Sequence, residues 1–183
     1  MFIQTEETPN PATLKFLPGQ SVMESGTANF PTLEEAAASP LASRLYEIDG
    51  VTGAFFGADF ITVTKADDRD WEWLKPQVFG AIMEHFTAGA PLFIDGYTVS
   101  AHATSNEEDE FVTQIKELLD TRVRPAVAQD GGDILFHSFE SGGVYLHMQG
   151  SCSGCPSSTA TLKSGIENML RHYISEVIEV RPV

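Results

Sequence analysis

The sequence predicts an α+β protein made of two small α/β domains joined by a polar linker. Three observations carry that expectation. Residues 51–56 with 60–64, and 134–139 with 144–149, are paired runs rich in β-branched and aromatic residues, each closing on a short Gly-containing turn as hairpins do. Apolar residues recur at helical spacing after the first hairpin and on both sides of the second. Between the two sets, Gly89, Pro91 and Gly96 lead into His102-Ala103-Thr104-Ser105-Asn106, a polar run that reads as a linker. The domains are therefore expected at 1–100 and 107–183.

In the first domain, residues 2–5 and 14–17 read as short strands around Glu7-Thr8-Pro9-Asn10-Pro11, whose prolines force an extended or turning path. Pro18-Gly19 closes that unit, and residues 20–38, with weak periodicity, are expected to be mostly loop. Ser39-Pro40 has the form of a helix N-cap followed by proline at the first helical position. This helix turns Leu41 and Leu45 inward and ends near Asp49-Gly50. After the hairpin, which turns at Gly57-Ala58-Asp59, the residues Trp71, Leu74, Val78, Ile82 and Met83 keep helical spacing through about Phe86. Pro76 within that pattern implies a start near it or a kink. Trp71 and Trp73 face different directions, one to core and one to rim.

In the second domain, Glu107-Glu108-Asp109-Glu110 suits a solvated helix N-terminus. Phe111, Ile115, Leu118, Leu119 and Val123 then line one face of an amphipathic helix, disturbed at its end by Arg124-Pro125. Asp130-Gly131-Gly132-Asp133 is a turn into the second hairpin, which itself turns at Glu140-Ser141-Gly142-Gly143. Pro156 fits the first turn of a helix carrying Leu162, Ile166, Met169, Leu170 and Tyr173 on one face, and 177–180 is a final strand. The expected order is α-β-β-α-β. No internal repeat or low-complexity segment is present.

Twenty-six acidic side chains against 11 basic ones give a formal charge of −15, shared by both halves at −9 over 1–103 and −6 over 104–183. Such a chain repels phosphate backbones and has no local basic patch, which excludes nucleic acid as a partner. No apolar run approaches the roughly 20 residues that span a bilayer, so no membrane partner is expected. Met1-Phe2-Ile3-Gln4-Thr5-Glu6-Glu7 shows neither a basic n-region with an apolar core nor an Arg-rich presequence. A reducing cytosol is the expected compartment, where a CxxC pair serves catalysis or metal binding more often than stapling.

Both cysteines fall in Gly150-Ser151-Cys152-Ser153-Gly154-Cys155-Pro156, between a predicted strand and a predicted helix. Exposed N–H groups and the positive dipole end at that helix start stabilise thiolate over thiol, and equally the charge of a thiolate-bound cluster. Ser153 and Gly154 keep the spacer small, so a bulky centre can approach the backbone. Cys152 and Cys155 are therefore the candidate cofactor-binding and metal-ligating residues. Two thiolates are half of a four-thiolate site, so a metal reading, an iron–sulfur centre or a zinc-bridged structural dimer, needs a second chain or an outside ligand. Dithiol–disulfide exchange is the alternative chemistry, although a thioredoxin-like domain would place its motif after an early strand. Incidental burial of the thiols is disfavoured, because a Gly/Ser turn is a poor place to bury a side chain.

Other residues invite weaker readings. His137 and His147 on the second hairpin are strand fillers more often than ligands. Asp130 and Asp133 bracket two glycines and read as turn chemistry rather than a catalytic carboxylate pair. No Ser-His-Asp order, P-loop or dinucleotide fingerprint is found, so no enzyme is expected.

The run from Val123-Arg124-Pro125 through Asp130-Gly131-Gly132-Asp133 to Gly150-Ser151-Cys152-Ser153-Gly154-Cys155-Pro156-Ser157-Ser158 resembles the C-terminal domain of the NifU/Nfu family. Thr8-Pro9-Asn10-Pro11 with Leu14-Lys15-Phe16, and Gly50-Val51 to Phe60-Ile61-Thr62-Val63-Thr64, resemble the Nfu N-terminal domain. The resemblance implies a scaffold or carrier in which Cys152 and Cys155 of two protomers hold one 4Fe–4S cluster for delivery to apo iron–sulfur proteins. A homodimer and an upstream cluster scaffold as donor are implied with it. Four thiolates equally suit a 2Fe–2S cluster. The family's N-terminal domain is expected to recognise partners: no cysteine occurs in 1–103, and His85 and His102 stand apart in the sequence. A bacterial cytoplasm is the expected location, or the mitochondrial matrix for a processed organelle form.

Overall fold

A computed structural model describes residues 2–97, 110–153 and 156–183, with backbone alone at 156–159. The chain divides into two compact units, Met1–Ala101 and His102–Val183. The expected polar linker at 102–106 and the acidic run through Asp109 lie outside the described residues.

The first unit is built on an antiparallel sheet of five strands, β1 (Gln4–Glu7), β2 (Thr13–Leu17), β3 (Ala28–Phe30), β4 (Val51–Phe56) and β5 (Ile61–Lys65), in the order β1-β2-β5-β4-β3. The helices are α1 (Leu33–Ala36), α2 (Pro40–Tyr46) and α3 (Trp71–Ala88). Alternation along β2 and β5 brings Leu14, Phe16, Ile61 and Val63 into one core with Leu41 and Leu45 of α2 and with Leu74, Val78 and Ile82 of α3. The Phe16 ring meets Trp71 and Phe79 edge-on, at centroid distances of 6.2 and 5.6 Å.

Ser39 caps α2 as expected, its Oγ accepting the Ala42 N–H at 3.2 Å, but the helix stops at Tyr46, short of Asp49. Residues 20–38 are more ordered than expected, because they hold both β3 and α1. The signal for α1 was local: Thr32 and Glu35 form a capping pair, with the Glu35 N–H donating to Thr32 Oγ1 at 3.3 Å. The signal for β3 was not, because its three residues gain their ladder from β4. Tyr46 ties this region together by donating its hydroxyl to Phe30 O at 2.8 Å, with Thr52 O at 3.0 Å. Burial, with Glu35 nearby, pushes its pKa up to about 12.

Helix α3 starts at Trp71 and continues past Pro76, so its start is not at the proline. It ends on Gly89 in the left-handed region, at φ +64°. Met83, expected inside, is exposed; Ala81 and His85 take buried places on the inner face instead.

The second unit begins with α4 (Glu110–Leu118), a π-helical turn at Leu119–Val123, and α5 (Arg124–Gln129). The disturbance expected at Arg124-Pro125 is present as a widening of the helix, which then continues. Pro125 has no N–H to give and its ring crowds the preceding turn. One turn of i→i−5 bonding, in which the Arg124 N–H donates to Leu119 O, lets the chain pass that point. Strands β6 (Gly132–Glu140) and β7 (Gly143–Gly150) pair antiparallel, and β8 (Glu179–Pro182) lies parallel to β7 after the crossover helix α6 (Pro156–Tyr173). The last strand starts two residues later than expected, since the Val177 N–H is still turned onto Ile174 O. Ile115, Val127, Ile134, Leu146, Ile166 and Leu170 meet in the core of this unit. Among the described residues, no helix is long and apolar enough to cross a membrane.

Candidate metal centre

The CxxC run occupies the connection from the carboxyl end of β7 to the start of α6. Strand β7 ends at Gly150, whose φ of +66° is in the region that only glycine enters without strain. The chain then folds back over the 130–133 turn. Ser151 makes both stitches: its N–H donates to Gly131 O at 3.2 Å, and its hydroxyl donates to Asp130 O. The Ser153 N–H closes the turn on Gly150 O at 3.1 Å.

Cys152 lands on the paired glycine of the neighbouring strand. Gly132 stands opposite Gly150 in the β6–β7 ladder. A Cβ built on Gly132 would lie 2.7 Å from Cys152 Sγ and 2.8 Å from Gln149 O. A side chain at 132 would therefore evict the thiol. Cys152 is 5% exposed and Ser151 1%, so the expectation that a Gly/Ser turn buries nothing is corrected for these two residues. Such a turn can bury a side chain when it closes over a position that has none. Cys155 lies outside the described residues, and α6 begins at the next one, Pro156.

Asp133, one residue beyond Gly132, is 3% exposed and grips Arg124 with both oxygens: Nε donates to Oδ1 and Nη2 to Oδ2, each at 2.8 Å. The Ile134 N–H donates to Oδ1 at 2.8 Å. The hydrogen bond to Asp133, against the cost of burial, holds the Arg124 pKa above its usual value. Asp133 is thus more than simple turn chemistry. It fastens α5 to the start of β6, directly under Cys152. The sequence showed an Arg and an Asp nine residues apart, with nothing local to join them.

The two hairpin histidines are both exposed. His137 sits at the β6 irregularity between Phe136 and Ser138. His147 is on the face of β7 opposite Leu146 and Met148, which share a core with Cys152, and its Nδ1 lies 3.3 Å from Val183 O. Among the described residues, no group of three or more His, Cys, Asp or Glu side chains could hold a metal ion.

A family model described as "Scaffold protein Nfu/NifU N terminal" matches residues 3–89, and one described as "NifU-like domain" matches residues 115–181. A human protein named "NFU1 iron-sulfur cluster scaffold homolog, mitochondrial" is 54% identical over 184 residues, covering 100% of this chain and 72% of its own length. The chain belongs to the Nfu/NifU family. An Arabidopsis thaliana relative of the same family, "NifU-like protein 4, mitochondrial", is 59% identical over 181 residues and 97% of this chain. The chain spans 64% of that relative, under two thirds of its length. A NifU-like protein of Saccharomyces cerevisiae solved by NMR aligns at a TM-score of 0.47 and 24% identity, over 52% of this chain and 86% of its own.

Proposed function

We propose that this Nfu/NifU-family chain is a non-enzymatic scaffold and carrier for an iron–sulfur cluster. Its cargo is a 4Fe–4S cluster held between two protomers by Cys152 and Cys155 of each, and its clients are apo iron–sulfur proteins. The observation that carries the reading is the 54% identity, across the whole chain, to a relative named an iron–sulfur cluster scaffold homolog. The donor set agrees with it: the chain has two cysteines with two residues between them, and four thiolates are the ligands of such a cluster. A twofold axis through the cluster brings four thiolates together with one self-complementary patch. The start of α6 adds N–H groups and a positive dipole end beside the thiolates. A cluster shared at an interface is released more readily than one enclosed by a single domain, which suits handover. Both relatives described above are named mitochondrial, and this supports the mitochondrial matrix in preference to the bacterial cytoplasm expected from the sequence.

The test is anaerobic reconstitution with ferrous iron and sulfide, followed by size-exclusion chromatography with iron, sulfide and absorbance read across the peak. The expected result is a dimer with about four iron and four sulfide, absent in Cys152→Ser and Cys155→Ser. Half that metal content would assign a 2Fe–2S cargo. Zinc in anaerobically purified protein would assign a structural dimer. A colourless monomer that rapidly reduces a model disulfide would replace the reading with dithiol chemistry.

A further inference from the structure

The geometry points to the outer face of α3 as a docking surface for a basic amphipathic helix of a partner protein. The inner face of α3 packs Leu74, Val78, Ala81, Ile82 and His85 into the first unit. On the opposite side Trp73, Pro76, Gly80, Met83 and Thr87 form a stripe, all within about 60° of Gly80 at 100° per residue, an arc whose edge also holds Gln77 and Glu84. All five are exposed, Trp73 at 78% and Met83 at 42%. The one charge in this arc, Glu84, is paired with Arg44 at 3.1 Å.

Two of these residues have no account within the fold. Trp73 is the largest side chain type and stands almost wholly in water, whereas Trp71 packs on Phe16 and donates Nε1–H to Pro11 O at 3.3 Å. Gly80 sits in mid-helix with nothing within 4 Å of a built Cβ, so alanine would fit and would favour the helix by about 1 kcal/mol. A bare backbone at the centre of an apolar stripe is what close approach of another helix uses.

Charge selects the occupant. Asp67, Asp68, Asp70 and Glu72, all exposed, crowd the Trp73 end of the stripe. Arg69 among them is paired with Asp49. The macrodipole accounts for acids at a helix start, but not for an exposed tryptophan and an idle glycine beside them. Phosphate backbones and anionic bilayers are repelled by this surface, and a second copy brings the same carboxylates and the same −15 charge. A helix with a Lys/Arg-rich end and a small apolar face meets both features at once.

The test titrates the ¹⁵N-labelled full chain with a synthetic 16-residue Leu/Lys amphipathic helix and with its Leu/Glu counterpart. The Lys peptide should shift the Trp73 indole and the outer α3 amides saturably, leaving the Trp71 indole in place. Trp73→Ala and Gly80→Gln, both at exposed positions, should each weaken binding at least tenfold, as should raising NaCl from 50 to 500 mM. Equal binding of the Glu peptide, unchanged affinity in either variant, or shifts confined elsewhere would overturn the proposal. So would a Trp73 indole already shielded from acrylamide without peptide, which would assign the stripe to the chain itself or to a second copy. Cluster loading of Trp73→Ala should equal wild type, so this proposal and the cluster reading fail separately.

Discussion

Gly132 is the residue on which the thiol site turns. Its hydrogen is the only substituent that leaves room for Cys152 Sγ and Gln149 O. Gly132→Ala should lower the unfolding free energy of the second unit by about 1–3 kcal/mol, the usual cost of overpacking. It should also speed iodoacetamide modification of Cys152 in the folded protein, located by peptide mass mapping. Cys152 itself is part of the core, which separates two substitutions often treated alike. Cys152→Ser places a hydroxyl in the core that Cys152 shares with Ile134 and Met148, and should cost about 1 kcal/mol or more unless that hydroxyl finds a partner. Cys152→Ala should lose the cluster with a smaller loss in urea denaturation. If serine proves as stable as alanine, the thiol is less enclosed than the structure shows.

The elements that hold this turn are joined by charge as much as by apolar contact. Arg124 at the start of α5 and Asp133 in β6 form a two-pronged pair, with the carboxylate buried and the guanidinium 23% exposed. Asp133→Ala removes the Arg124 clamp and the acceptor of the Ile134 N–H. The expected cost is about 2–4 kcal/mol, near the lower part of the range for a buried pair because Arg124 keeps water contact. Denaturant unfolding of the second unit measures it, and a loss under 1 kcal/mol would make the pair ornamental. In the first unit, α3 buries His85 at 3% exposure. Burial, and then the charge of Arg44, hold its pKa below the ordinary 6.5. Above pH 6.5 the ring is neutral folded or unfolded and does not affect stability. As pH falls below 6.5 the unfolded ring takes a proton that the folded one refuses, so stability drops until the folded pKa is reached. Melting temperature at pH 7.5 and 5 should therefore fall less in His85→Leu than in wild type.

Across the whole molecule, charge and thiol count act against each other. The proposed four-thiolate cluster calls for two chains of two thiols each, yet each chain carries −15. The proposed cluster-bridged dimer should consequently hold together better at 300 than at 20 mM NaCl, because the Debye length falls from about 20 to about 6 Å between them. Analytical ultracentrifugation of the loaded protein reads this directly, and tighter association at low salt would refute it. The acidic balance also fits the docking face on α3, because each carboxylate that opposes self-association favours a basic partner.

The sequence by itself determined what is written in local order. The hairpins and the periodic helices were legible in it because side-chain alternation and 3.6-residue repeats come from the backbone alone. Ser39-Pro40 was legible as a cap from local order too, and two cysteines in one short Gly/Ser run marked the candidate site. Only the tertiary structure decided the rest. Strand β3 exists because β4 lies beside it, and Arg124 meets Asp133 because α5 folds back on β6. Cys152 is buried because a second glycine, 20 positions earlier in the chain, passes beneath it. Each of these depends on groups that become neighbours only after the chain has folded, and no pattern read along the sequence records that distance.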